Sequence, residues 1–133
     1  MRLLLNIDVD DLDAACRFYV DAFGLAPGRR LGDSVVELLG AEVPLYLLCN
    51  PPGSIAAGAA VRDYRRHWTP LHVDVVVDDL DAALARARAA GAAQEGDIRD
   101  APYGRIVQLA DPFGHGWCLI AFNALGYDAI ADG

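Results

Sequence analysis

The chain contains no lysine; all 11 of its basic residues are arginine. That absence excludes a Schiff-base lysine, a pyridoxal-phosphate anchor, a phosphate-loop lysine and a Ser–Lys nucleophile pair. Hydroxyl side chains are almost as scarce, with Ser34, Ser54 and Thr69 the whole supply of serine and threonine. Neither serine sits in a Gly-x-Ser-x-Gly elbow, which argues against a serine hydrolase. Basic charge is short as well: 11 basic residues face 19 acidic ones, for a net charge of −8. Such a chain has no broad footprint for nucleic acid. No run reaches the ~18 apolar residues of a membrane span. Asp8 interrupts the first apolar run too early for a secretory signal. Cys16, Cys49 and Cys118 are odd in number and lack Cys-x-x-Cys spacing, the pattern of reduced thiols in a cytoplasm. What is abundant is apolar, at 54% of 133 residues. That supplies one domain with a sizeable core.

A repeat organises this apolar material. Val9-Asp10-Asp11-Leu12-Asp13-Ala14-Ala15 returns as Val77-Asp78-Asp79-Leu80-Asp81-Ala82-Ala83, at an offset of 68. Ahead of the first copy, Leu3, Leu5, Ile7 and Val9 alternate with Leu4, Asn6 and Asp8. Ahead of the second, Val73, Val75 and Val77 alternate with His72, Asp74 and Val76. A period of two predicts strands with one face on a core and the other more polar. Asp10 or Asp11, and Asp78 or Asp79, are placed to cap the helices that follow. Helix one is predicted from about Leu12 to Phe23, with Ala15, Phe18, Tyr19 and Ala22 inward. Helix two runs from about Leu80 to Ala90, with Leu84 and Ala87 inward. Gly24 and Gly91 stop them.

Short apolar runs then read as strands: Ser34–Leu39 and Pro44–Cys49 in the first half, Arg105–Leu109 and Trp117–Phe122 in the second. Arg29–Leu31 and Ile98–Asp100 each supply one more. The order is β-α-β-β-β twice, an α+β chain, with unit one at about 2–50 and unit two at about 71–122. Residues 51–70 connect them, and a tail, 123–133, has no assigned place. A connection this long reads as a mobile or lid-like segment. It carries the one concentrated basic patch, Arg62, Arg65, Arg66, His67 and Trp68. That patch either pairs with the acidic body or closes over an anionic or aromatic ligand.

The paired Val-Asp-Asp-Leu-Asp-Ala-Ala segments are joined by Phe18-Tyr19 followed by Phe23-Gly24-Leu25, and by Asp111-Pro112-Phe113-Gly114 before the last strand. Together they resemble the vicinal oxygen chelate superfamily, which includes glyoxalase I, extradiol dioxygenases, fosfomycin-resistance enzymes and bleomycin-resistance proteins. The resemblance covers about residues 2 to 122. It implies two tandem βαβββ units forming a cupped mixed β-sheet around a cavity, helices outside, in a single domain (1–133) that forms a homodimer. Metal enzymes of the superfamily place a ligand near the start of the first strand and in the middle of the last strand of each unit. Those positions fall on Leu4 and about Leu47 in unit one, and on His72 and Cys118 in unit two. A catalytic divalent ion wants about three protein ligands plus an open position, and leucine donates nothing. The expectation is therefore no metal and no other cofactor. The alternative is a divalent ion on His72 and Cys118, completed by Glu37, Asp74 or His115.

The resemblance makes His72 and Cys118 the candidate catalytic residues. His72 reads as a structural histidine on a cavity wall, or as a ligand-binding or acid/base group. Cys118 reads as a small filler of a vacated ligand position, or as a nucleophile within reach of His72. The expected ligand-binding wall comprises Leu4, Asn6, Glu37, Tyr46, Leu47, His72, Asp74 and Cys118. Tyr46 and Trp117 are read as corresponding positions, with Trp117 turned to the core. His115 is read as a solvated turn residue, and Cys16 and Cys49 as packing. The expected function is metal-independent binding of a small cationic or aromatic molecule, with the negative charge steering a cation toward it. The alternative is a lyase, isomerase or dioxygenase using His72 with an unusual ion, or a metal-free His72/Cys118 site. Neither nucleic acid nor membrane is an expected partner.

Overall fold

Asp11 and Asp79, the second acid of each repeated pair, take the cap positions. Each is extended, and its carboxylate accepts from the N–H three residues on, Ala14 and Ala82, at 3.0 Å. They start α1 (Leu12–Phe23) and α2 (Leu80–Ala90) in the computed structural model, which describes residues 1–133. Gly24 and Gly91 end the helices with φ of 73° and 117°, a region where a residue with a Cβ is strained. The stripe predicted for α1 is buried, Ala15, Phe18, Tyr19 and Ala22 together with Leu12. The α2 helix buries Leu80, Leu84 and Ala87.

The chain divides into two units, Met1–Arg65 and Arg66–Gly133. Unit one contains β1 (Leu5–Val9), α1, β2 (Ala26–Leu31), β3 (Val35–Leu39) and β4 (Leu45–Cys49). Its sheet has the order β1-β4-β3-β2, with β1 parallel to β4 and the other neighbours antiparallel. A hairpin of β5 (Ile55–Ala57) and β6 (Ala60–Val61) follows. Unit two contains β7 (Val73–Val76), α2, β8 (Ala93–Gln94), β9 (Arg99–Ala101), β10 (Gly104–Ala110) and β11 (Gly116–Phe122). Its order is β7-β11-β10-β8, with β9 also on β10. Each unit follows the βαβββ path, and in unit two the second strand is broken into β8 and β9. The α1 helix packs on β4 and β3, and α2 on β11. No helix is long and apolar enough to cross a membrane, and all three cysteines are free thiols.

Residues 51–65 belong to unit one, which corrects the lid-like reading of the connection. Arg62 Nε donates to Asp8 Oδ2 at 2.9 Å, and the Tyr64 hydroxyl donates to the Asn50 carbonyl at 2.7 Å. These bonds tie the chain just after the hairpin to the ends of β1 and β4. The basic patch is dispersed for the same reason. Arg62 pairs with Asp8, Arg65 with Asp63, and Arg66 with Glu95. In the tail, Gly126–Ala129 form one 3-10 turn. It sets the Tyr127 ring 4.8 Å from Phe122 and 5.2 Å from Tyr103.

Candidate functional site

Strand register decides which side chains share a face. In unit two, β7 runs parallel to β11 with Asp74 opposite Cys118 and Val73 opposite Trp117. The antiparallel β10 places Gln108 opposite Cys118 and Leu109 opposite Trp117. Asp74, Cys118 and Gln108 therefore share one face, and Trp117 lies on the other. His72 joins the first set: its Nε2 is 3.2 Å from Asp74 Oδ1. The ligand atoms of His72, Asp74 and Cys118 all lie within 4.8 Å of one another. Exposure falls across the cluster, from 61% for the His72 side chain to 30% for Asp74 and 4% for Cys118. Burial, then the charge and hydrogen bond of Asp74, push the Cys118 thiol up to about 11. At neutral pH it is a protonated thiol, unlike an activated nucleophile.

These groups border a recess of about 90 Å³ whose other walls include Trp68, Leu71 and Gln108. Arg66 forms part of the rim, held by Glu95 with Nη2–Oε1 at 3.0 Å. Gly116 makes room for it, because a Cβ there would sit 2.5 Å from Arg66 Nη2. Gln108 and Glu95 were not among the expected wall residues. Gln108 did leave a signal, as the one polar side chain within Ile106–Ala110. Glu95 follows β8, whose two residues are too short to show any period.

Unit one repeats the frame with different side chains. Asn6 pairs with Tyr46, Leu5 with Leu45, and Glu37 with Tyr46. The counterpart of Cys118 is thus Tyr46, and that of Trp117 is Leu45. This register corrects the placement of a metal-equivalent position at Leu47 and the pairing of Tyr46 with Trp117. Leu47 is fully buried, opposite Ile7 and Val36, and lines no open wall. Leu4 precedes β1 and is half-exposed, and Asn6 is exposed on the Tyr46 face. Glu37 is buried with both oxygens engaged. Arg29 Nε and Nη2 donate to Oε1 and Oε2 at 3.0 and 2.6 Å, and the Tyr46 hydroxyl donates to Oε2 at 2.7 Å. The Arg29 bond, then the Tyr46 bond, hold the Glu37 carboxyl at about 2.

His115 is also engaged elsewhere, which corrects its reading as a solvated turn residue. Its Nδ1 lies 2.8 Å from Oδ2 of buried Asp111, and its side chain is 27% exposed. Asp111 further accepts from Trp117 Nε1 at 2.9 Å and from the N–H groups of Phe113 and His115. The Asp-Pro-Phe-Gly segment is a turn pinned by one carboxylate between β10 and β11. Within unit two, Asp74 is the candidate completing donor that stands beside His72 and Cys118. Two of the four positions equivalent to the superfamily's ligand positions lie in unit one and supply no free donor. Unit one presents Leu4 and a Tyr46 hydroxyl already donated to Glu37.

Comparison with known proteins bears on this frame. A glyoxalase-like domain family matches residues 5–120. The anthracycline biosynthesis protein DnrV of Streptomyces peucetius is 32% identical over 130 residues, which cover 97% of this chain. The chain spans 44% of that relative's length. Lactoylglutathione lyase from Agrobacterium tumefaciens aligns with a TM-score of 0.62 at 26% identity, covering 91% of this chain and 92% of that one. The fosfomycin resistance protein FosX from Listeria monocytogenes aligns with a TM-score of 0.71 at 16% identity, covering 94% and 93%. The family match runs through both βαβββ units, and the chain belongs to the glyoxalase-like family of the vicinal oxygen chelate superfamily.

Proposed function

We propose that this protein binds a small aromatic or cationic molecule in the unit-two recess, without the superfamily's shared metal centre. The observation that carries this reading is the recess itself, where an exposed indole, Trp68, stands beside Gln108 and a buried neutral thiol. About 90 Å³ admits a ring edge or a small headgroup. The rest of such a guest would lie across Trp68, whose ring attracts flat aromatic cations. Asp74 adds local negative charge, the Glu95 charge being offset by Arg66, and the net −8 adds long-range attraction. The relatives named for anthracycline biosynthesis support the same guest class, since anthracyclines are flat aromatic glycosides bearing an amino sugar.

The test is calorimetric titration of the full chain, in the presence of a chelator, with an anthracycline and with a neutral anthraquinone. Saturable binding of the cationic guest is expected. Trp68→Ala and Gln108→Leu should each weaken it about tenfold, the equivalent of roughly 1.4 kcal/mol. Absence of saturable binding, or indifference to both substitutions, overturns the proposal. A second reading, a lyase, isomerase or dioxygenase, draws on the exposed His72 imidazole beside Asp74. Its mark would be turnover that His72→Ala abolishes.

A further inference from the structure

The polar groups around the unit-two recess differ in whether their bonds are already made. Glu95 is held by Arg66, whose Nε and Nη2 donate to its two oxygens at 3.1 and 3.0 Å. The Thr69 hydroxyl donates to the Leu71 carbonyl, and Trp117 Nε1 donates to Asp111 Oδ2, both at 2.9 Å. His72 Nε2 and the Cys118 thiol both turn to Asp74. Gln108 is the lining side chain that offers both a donor and an acceptor with neither engaged. We infer that Gln108 is a specificity-determining residue, and that the guest edge entering the recess carries a hydrogen-bond donor directly beside an acceptor. The N–H and C=O of a cyclic lactam are the simplest such pair. The inference rests on the recess being the guest site proposed above, and adds the chemistry of the edge that enters it.

The backbone fixes Gln108 from both sides. Across β11 it stands opposite Cys118, and on the other side the Glu95 N–H donates to its main-chain carbonyl at 2.8 Å. Ile106, Val107, Leu109 and Ala110 around it are buried, whereas Gln108 is exposed. Its carboxamide therefore faces water when the recess is empty and faces the guest when it is filled. A flat guest that covers the carboxamide strips water from the oxygen and the nitrogen together. An ammonium entering there leaves the amide N–H groups unpaired, and a carboxylate leaves the amide oxygen unpaired. Each orphan costs more than the remaining bond gains. A carboxylate is opposed besides by Asp74, the register partner of Cys118. A donor beside an acceptor satisfies both atoms, in the bidentate manner by which a carboxamide reads adjacent groups on a base edge. A half-turn about the last side-chain torsion exchanges oxygen and nitrogen, so either order of the two groups fits. A positive charge elsewhere on such a guest stays outside, over the exposed Trp68 ring.

The probes are carbostyril, a neutral flat bicyclic lactam, and its N-methyl derivative, which lacks the lactam N–H. Both are titrated calorimetrically into the full chain, beside the cationic guest used above. Wild type should prefer carbostyril about tenfold. Gln108→Leu should bring the two probes to equal affinity, which a purely steric effect of the methyl group would not do. Trp68→Ala should weaken both probes and leave their ratio unchanged, because stacking does not distinguish them. Gln108 and Trp68 are exposed, so both variants should fold. In isotope-labelled protein, the Gln108 carboxamide resonance should shift on adding carbostyril and stay in place with the N-methyl derivative. Equal affinities in wild type, a preference that survives Gln108→Leu, or an unmoved resonance would each overturn the assignment. Binding of the cationic guest without binding of carbostyril would overturn this inference alone. Binding of no probe at all would overturn the recess as a guest site, and this inference with it.

Discussion

Glu37 shows how one residue can look available in sequence and be fully engaged in structure. It lies in Val35-Val36-Glu37-Leu38-Leu39, where apolar neighbours on both sides leave its facing undetermined. Its partner Arg29 sits across the β2–β3 register shift between Pro27 and Arg30, which no alternation pattern reveals. The pair makes a pH prediction. Two Arg29 donors and the Tyr46 hydroxyl lower the Glu37 carboxyl from 4.5 to about 2. A depressed carboxyl contributes stability that is present above its unfolded value and lost as pH falls through the folded one. The melting-temperature gap between wild type and Glu37→Gln should be full at pH 6 and shrink as pH falls from about 4.5 to about 2. A gap of constant size across that range would show that the ion pair is not its source. The neighbourhood of His72 and Cys118 on one face follows from a simpler pattern. The repeat makes His72 the sequence equivalent of Leu4 at a fixed offset, and alternation along the strand puts Asp74 on the same face as His72.

Helices and long strands were readable because several local signals agree on them. For α1 and α2, a capping acid, an apolar stripe and a terminal glycine coincide twice. The caps themselves are testable. Asp11→Ala and Asp79→Ala each remove a 3.0 Å bond to a helical N–H and should cost about 1 kcal/mol in urea denaturation. They sit in separate units, so the double variant should lose close to the sum of the single losses. A neutral result for either would mean that the neighbouring acid, Asp10 or Asp78, takes over the cap. Elements without converging signals were missed. The strands β5, β6 and β8 are two or three residues long, below one full alternation, whereas β9 falls on the short strand expected at Ile98–Asp100. Register failed for a related reason. Leu45-Tyr46-Leu47-Leu48 is apolar throughout, so nothing in it says which residues face Asn6. Only the β1–β4 pairing shows that Tyr46 does. A slip of one residue exchanges the two faces of a strand, and here it exchanged a buried leucine for the tyrosine that donates to Glu37.

At the scale of the molecule, charge is unevenly divided between units whose folds are alike. Unit two holds ten acidic residues against five arginines, and unit one holds nine against six. Part of the acidity is structural, since Asp11, Asp79 and Asp111 spend theirs on backbone and indole N–H groups. Bonds from neutral N–H groups leave those charges in place, so the excess of five in unit two against three in unit one (ten minus five, nine minus six) sets the stronger field over the unit that carries the recess. Fold membership does not select that guest, because one fold serves many chemistries; the field does discriminate by sign. Screening length falls from about 30 Å at 0.01 M salt to about 10 Å at 0.1 M. Association of an aromatic cation should therefore slow across that range, while a neutral aromatic of the same shape should be unaffected. Direct contacts to Trp68 and Gln108 are screened far less, so dissociation rates should change little for either guest. Stopped-flow titration at the two ionic strengths separates these terms. Equal salt sensitivity for charged and neutral guests would rule out electrostatic steering and leave the recess walls as the whole source of selectivity.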